Sequence, residues 1–150
     1  MPRTLQSCGA CSKWLANSCA LANQPADQAQ ATIERVAQSG VAVVSLPMCN
    51  MYLQDRDNVD RVRTPRWRGV TLLNELKTAG VPVAIASDNT RDPFYAYGDL
   101  DGFEVLREGA RILQFDHPQA DAFAWARSVG ADPAAIAGFA HAAKLAVGVS

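Results

Sequence analysis

The stretch Val81-Pro82-Val83-Ala84-Ile85-Ala86-Ser87-Asp88 is an apolar run that stops on short polar side chains. Its apolar positions do not alternate with polar ones, which is typical of a strand covered on both faces in a parallel sheet. Pro82 is compatible with such a strand because it stands at one of its first positions. The stretch therefore predicts a buried strand at residues 83–87, with Asp88 at its carboxyl end.

A group of short polar side chains at this strand end is the candidate functional site: Ser87, Asp88, Asn89 and Thr90. Enzymes with parallel α/β sheets place their reactive groups at the carboxyl edge of the strands. Asp88 is therefore the leading candidate for a catalytic residue. A structural role fits equally well, because Asp or Asn at a strand end also forms an Asx turn.

The segment before this run predicts a helix followed by another strand. Pro25 and Asp27 open a segment with apolar residues at helical spacing, which closes on Ser39-Gly40 as a left-handed cap would. A strand is predicted at residues 41–46, directly after the helix. Residues 14–22 are moderately apolar and are compatible with a short strand. This alternation of helix and strand indicates an α/β fold.

The stretch between the two predicted strands carries further candidate contacts. Residues 48–63 are polar and aperiodic, which predicts a long loop, and Asn50 and Gln54 lie nearest the strand end. Thr64 is the predicted N-cap of a helix that reaches Gly80. The expected order is helix, strand, helix, strand, as in crossover units.

Three aromatic residues follow Asp88, namely Phe94, Tyr95 and Tyr97. They are compatible with one wall of a flat apolar pocket and equally with ordinary packing. Helices are predicted next, beginning with one capped by Asp99 and continuing over residues 118–129 and 134–143.

Composition restricts the classes of function. The chain has 150 residues, about half of them apolar, and a formal charge of −1. It can bury one core, and it lacks the basic excess that binding to nucleic acid requires. No apolar run approaches a membrane span or a signal peptide, so we expect a cytoplasmic protein that binds no membrane. Residues 1–13 are expected to be a poorly ordered leader before a domain at 14–150.

Four cysteines are expected to be reduced thiols in this setting. Cys8 and Cys11 form a CxxC pattern, which occurs in zinc sites and in redox pairs. A second such pair and a nearby histidine pair are both missing from the sequence. The pattern is therefore a weak signal for either function.

Three segments together resemble the C-terminal third of cytosine deaminase-like amidohydrolases: SLPMCNMYLQDR at 45–56, RTPRWRGVTLLNELKTAGVPVAIASDNTRDPFYAYGDLD at 63–101 and ILQFDHP at 112–118. The resemblance covers roughly residues 16–118. It implies a (β/α)8 TIM barrel and hydrolytic deamination of cytosine or a related nitrogen heterocycle. It also implies a divalent metal, zinc or iron.

The resemblance assigns roles to individual residues. Asp88 matches the last-strand aspartate, a metal ligand that also handles the proton of the attacking water. Asn89 matches a substrate-side position, and Phe94 matches an aromatic residue near the heterocycle. Asn50 and Gln54 complete the expected substrate-binding set.

The sequence departs from the family in its histidines. It has two, His117 and His141, and neither stands in a His-x-His pair. Asn17 aligns where the family has a metal histidine, and Asn is a poor replacement for imidazole at a transition metal. A whole barrel takes about 250 residues, so we expect a partial one, its last βα units with C-terminal helices, truncated at both ends.

The chain alone is accordingly expected to be inactive and to bind no metal by itself. A second polypeptide that completes the barrel, or self-association through open strand edges, is the expected partner. The alternative function is a non-catalytic module that binds a small planar heterocycle.

Overall fold

A computed structural model describes residues 14–16, 18–56 and 62–139. The strands are β1 (Trp14–Ala16), β2 (Ala42–Ser45) and β3 (Val83–Ile85). The α-helices are α1 (Ala26–Ser39), α2 (Pro47–Leu53), α3 (Leu73–Thr78), α4 (Gly102–Leu113), α5 (Ala122–Ala126) and α6 (Ala131–Ile136). Two 3-10 helices span Ser18–Asn23 and Arg127–Val129.

The strands form a parallel three-stranded sheet in the order β1-β2-β3. In the register of β2 and β3, Ser45 lies opposite Ile85. Every residue of β3 is buried, whereas every residue of β1 is exposed. The α/β class and the parallel arrangement are thereby confirmed, although β3 is shorter than the strand predicted at 83–87.

Helix α1 confirms the prediction made from its spacing. Ala29 and Ile33 are buried on one face, and Gly40 ends the helix with φ of 68°. This left-handed conformation is nearly free of strain for glycine.

The predicted loop at 48–63 is wrong in its first part, because Pro47–Leu53 is the helix α2. Pro47 is the first residue of the helix, where a backbone N–H would have no partner within the helix, so the N–H that proline lacks is not needed. Met48, Cys49 and Asn50 are buried in the first turn. Tertiary burial thus stabilises a helix that has no apolar period in the sequence.

The helix predicted from Thr64 is also wrong, since α3 begins only at Leu73. Two side chains from the end of α2 hold the intervening backbone in another conformation. Asp55 accepts hydrogen bonds from the backbone N–H groups of Arg66 and Trp67, at 3.1 Å for Trp67. Gln54 accepts one from the Gly69 N–H at 2.6 Å and donates one to the Gly69 carbonyl at 2.8 Å.

The helices after β3 differ from the prediction in their limits. Asp101, not Asp99, caps α4 by accepting from the N–H groups of Phe103 and Glu104. The helix predicted at 118–129 is shorter because Asp121 caps α5 at Ala122. The last helix, predicted at 134–143, is α6, which begins earlier, at Ala131, and already ends at Ile136; residues 140–143 lie outside the described residues.

Helix α4 packs closely on the sheet at Gly109. A Cβ added there would lie 3.0 Å from Ile85 Cδ1 and 3.0 Å from Phe115 Cε2. Phe115 in turn stacks on Trp125, with ring centroids 4.0 Å apart. Glycine is a poor helix former, but the missing side chain at Gly109 allows α4 to approach β3 closely. Within the described residues, no helix is both long and apolar enough to span a membrane.

The Gly109→Ala variant should lower the free energy of unfolding by about 1–3 kcal/mol, because the added methyl group overpacks this contact. Gly102→Ala in the same helix is the matched control, since a Cβ there meets nothing within 4 Å. Urea denaturation of both variants measures the difference. Equal stability of the two variants would contradict this packing.

Asp55→Asn tests the bonds that hold residues 66–69. The Arg63 guanidinium and the two backbone N–H groups keep the pKa of the Asp55 carboxyl well below its usual range. A lowered folded-state pKa stabilises the protein above the unfolded pKa, about 3.9, and this contribution is lost as pH falls through the folded value.

The Tm of Asp55→Asn should therefore be below that of the unchanged chain near neutral pH, and the gap should narrow at acid pH. Asp116→Asn, at an exposed residue after α4, is the charge-matched control. A gap that stays constant across the pH range would show that the carboxylate does not stabilise this segment.

Candidate functional site at the carboxyl edge of the sheet

Asp88 lies just beyond the carboxyl end of β3, as the sequence predicted. It is half-buried, and its backbone has φ of 67°. This left-handed conformation is uncommon for a residue with a Cβ, although Asp adopts it more readily than most.

Asp92 organises the loop after β3. Its Oδ1 accepts hydrogen bonds from the N–H groups of Phe94 and Tyr95, both at 2.9 Å. Its Oδ2 accepts one from Asn89 Nδ2 at 2.5 Å. The Asn89 amide, the largest effect, and these N–H groups hold the pKa of Asp92 below its ordinary value. The carboxylate thus fixes the loop in one conformation.

The same loop closes at its far end on Gly98. A Cβ added at Gly98 would lie 2.0 Å from the carbonyl oxygen of Asn89. Only glycine allows the two backbone segments to approach this closely. The loop at 89–98 is therefore a closed unit beside Asp88.

Cys49 is part of this site, and sequence reasoning missed it. It lies in the first turn of α2 and is 0% exposed. Its thiol donates a hydrogen bond to Asn89 Oδ1, with 3.8 Å between Sγ and the oxygen. Burial, followed by the interaction with Asp88, raises the pKa of Cys49 from 9.0 to about 11. The thiol is therefore protonated at neutral pH and can donate a hydrogen bond.

The other predicted substrate contacts are dispersed. Asn50 is buried on α2 beside Cys49. Gln54 uses its amide to bind the Gly69 backbone. Phe94 is 63% exposed, and Asn89 bonds to Asp92 and Cys49 within the chain. The fold thus brings Asp88, Asn89 and Cys49 together and directs Gln54 elsewhere.

A cluster of three tyrosines lies next to this loop. The Tyr52 ring meets Tyr95 edge-on at 5.2 Å and Tyr97 at 5.6 Å between centroids, and the Arg56 guanidinium lies 4.1 Å from the Tyr52 centroid. Tyr95 is buried, whereas Tyr97 is 70% exposed. Two of the three aromatic residues predicted to form a pocket wall, Tyr95 and Tyr97, therefore pack with a residue of α2.

A divalent metal does not fit the donor set that this part of the chain provides. In the ranges 14–16, 18–56 and 62–139, no three His, Cys, Asp or Glu side chains are grouped so that they could hold an ion. Protein zinc sites use three or four such ligands. Among these residues, Asp88 therefore remains a predicted ligand that belongs to no group of three.

The remaining candidates do not lie at this site. His117 is exposed in the turn after α4, where its Nδ1 accepts a hydrogen bond from the Gln119 N–H at 3.2 Å. Asn17, His141, Cys8 and Cys11 lie outside the described residues.

The family to which the chain belongs follows from comparison with known proteins. The Amidohydrolase family matches residues 15–150. The chain therefore belongs to the amidohydrolases, and the resemblance found in its sequence is confirmed.

Deaminases are among its relatives. The chain is 60% identical over 130 residues to a pterin deaminase of Rhizobium rhizogenes, with 87% of this chain and 28% of that protein covered. Its structure is similar to that of 5-methylcytosine deaminase from Klebsiella pneumoniae, with 26% identity and a TM-score of 0.69 over 81% of this chain and 28% of the enzyme.

The fold is also similar to that of N-isopropylammelide isopropylaminohydrolase from Burkholderia multivorans. The identity is 24% and the TM-score 0.61, over 84% of this chain and 28% of that one. The chain thus spans little more than a quarter of the length of these relatives.

Burial and the raised pKa of Cys49 predict an inert thiol in the folded chain. At about pH 8 only about a thousandth of such a thiol is the reactive thiolate. Iodoacetamide followed by peptide mass mapping should leave Cys49 unmodified in native buffer and label it in urea. The half-buried Cys19 is the internal comparison. Equal labelling of Cys49 in both conditions would contradict its placement.

Proposed function

We propose that this chain contributes the last-strand part of the active site of a deaminase acting on an amino-substituted nitrogen heterocycle, with a pterin as the first candidate. The observation that carries the proposal is the position of Asp88, a half-buried carboxylate at the carboxyl end of a parallel strand. The relative with 60% identity, a pterin deaminase, supports the choice of substrate. Cytosine and its 5-methyl derivative are the second choice.

Asp88 has a definite task in this reaction. Hydrolytic deamination joins the water oxygen to the ring carbon that bears the amino group, and then breaks the carbon–nitrogen bond to release ammonia. The proposed role of Asp88 is to take a proton from the water and return it to the departing nitrogen. One carboxylate can serve both steps because it is regenerated when ammonia leaves. Phe94, Asn50 and Asn89 are the proposed substrate contacts.

The proposal includes the divalent metal of the family, zinc or iron, only if ligands from outside this chain help to bind it. When bound, such an ion lowers the pKa of a water molecule and so supplies a nucleophile at neutral pH. The donor set described above does not hold it. We therefore infer that the chain alone is inactive and that a complementing polypeptide supplies the other ligands.

The outer edge of β1 is the proposed attachment point. All three residues of β1 are exposed, with Trp14 at 40% and Leu15 at 44%. Among the described residues nothing pairs with this edge. An exposed parallel strand offers unpaired N–H and C=O groups to a further strand. The three-stranded sheet would then be part of a (β/α)8 barrel closed by the partner.

Complementation tests the proposal. The chain is co-purified with the portion of the Rhizobium pterin deaminase that lies outside the matched region, and ammonia release from a pterin and from cytosine is measured. Activity is expected only when both polypeptides are present. Asp88→Asn should lower kcat by at least about 100-fold, because the proton acceptor is lost.

Asp116→Asn is the matched control and should keep the activity of the complemented pair. Turnover by the isolated chain with stoichiometric metal would overturn the inference that it needs a partner. A complemented pair that releases ammonia equally well with Asp88→Asn would overturn the role of Asp88.

The tyrosine cluster favours a second candidate, a module that binds a planar heterocycle without reacting with it. Tyr97, which is 70% exposed and contacts Tyr52 and Tyr95, offers an aromatic ring for stacking. A ligand at 100 times its Kd stabilises the fold by about 2.7 kcal/mol. A rise in Tm of the isolated chain with pterin, cytosine or a triazine, abolished by Tyr97→Ala, would favour this module. Light scattering in the same samples detects self-association.

A further inference from the structure

The contact between Cys49 and the loop after β3 links two elements that are far apart in the chain. The fully buried thiol donates its one proton to the Asn89 side-chain oxygen, with 3.8 Å between Sγ and Oδ1. Asn89 is the residue that follows Asp88. The thiol therefore restrains the Asn89 side chain and, through it, the backbone next to Asp88.

Asp92 binds the amide nitrogen of the same Asn89 side chain. It holds the Asn89 amide nitrogen at 2.5 Å, while two backbone N–H groups at 2.9 Å hold Asp92 itself. The Asn89 oxygen is consequently directed at Cys49. Cys49, Asn89 and Asp92 form a continuous chain of hydrogen bonds that ends next to Asp88.

Asp88 needs such support because of its backbone conformation. Its φ of 67° is sparsely populated by residues with a Cβ and persists only where the surroundings enforce it. The closure of the loop on Gly98 removes the remaining freedom of the segment.

We propose that Cys49 and Asp92, both acting through the Asn89 side chain, are positioning residues for Asp88. Neither touches the substrate in this proposal. They hold Asp88 where it can exchange a proton with the attacking water, and this part rests on the deaminase function proposed above. The geometric part, that they hold Asp88, does not depend on that function.

Substitutions at Cys49 and Asp92 separate the effect of hydrogen bonding from the effect of packing. Cys49→Ser keeps a hydrogen-bond donor at this position, whereas Cys49→Ala removes it. Asp92→Asn keeps the shape of the side chain but replaces the negatively charged acceptor of the Asn89 amide by a neutral amide group. Cys19→Ala, which removes a thiol away from the loop, is the control.

The geometric arm uses nitrogen–proton NMR spectra of the isolated chain. Cys49→Ala and Asp92→Asn should shift the backbone signals of Asp88 and Asn89 and the side-chain amide signal of Asn89. Cys49→Ser should restore most of the shift, and Cys19→Ala should cause none. Unchanged Asp88 signals in Cys49→Ala, or equal shifts in Cys49→Ser and Cys49→Ala, would overturn the proposal.

The functional arm uses the complemented enzyme. Cys49→Ala should lower kcat about tenfold or more with KM changed less than about twofold, since misplacing a reacting group costs rate rather than binding. Cys49→Ser should recover most of that loss. If the complemented wild-type pair is inactive, the deaminase function fails, and the NMR comparison still decides whether Cys49 and Asp92 hold Asp88.

Discussion

The parallel pairing of β2 with β3 is the constraint on which the rest of the site depends. Ser45 lies opposite Ile85, and the Ala86 N–H donates a hydrogen bond to the Ser45 carbonyl at 3.0 Å. Because parallel strands present their carboxyl ends at one edge, this register brings the start of α2 to the loop after β3. Cys49 contacts Asn89, 40 positions further along the chain, for this reason.

Several polar side chains of this protein form hydrogen bonds with its own backbone. Gln54 and Asp55 hold residues 66–69, and Asp92 holds the two residues that follow it by two and three positions. Asp101 and Asp121 cap helices in the same way. A hydrogen bond to a buried or half-buried backbone N–H removes the desolvation cost of that group. Residue types that suggest ligand binding in a sequence are thus often needed to stabilise loops.

The chain belongs to the amidohydrolase family but spans only part of its relatives. The chain matches its pterin deaminase relative over 87% of its own length but only 28% of that protein. What the two share is one section of a larger catalytic fold. In our proposal, deamination takes place only when this section is joined to a polypeptide that supplies the other metal ligands.

The exposed β1 and the buried β3 give the sheet two different edges. The helices α4 and α6 and the 3-10 helix before α6 contact β3, whereas the residues of β1 remain accessible on the other side. This asymmetry is the structural basis for placing a partner at β1.

The sequence by itself determined the α/β class, the strands β2 and β3, α1 with its Gly40 cap and the place of Asp88 at a strand end. These features depend on local apolar patterns and on single residues with strong backbone preferences, which act over a few neighbours. The tertiary structure alone decided that residues 47–53 form a helix, that residues 64–72 do not, and that Cys49 lies against Asn89. Those outcomes depend on burial and on hydrogen bonds between residues distant in the chain, and no local pattern records them.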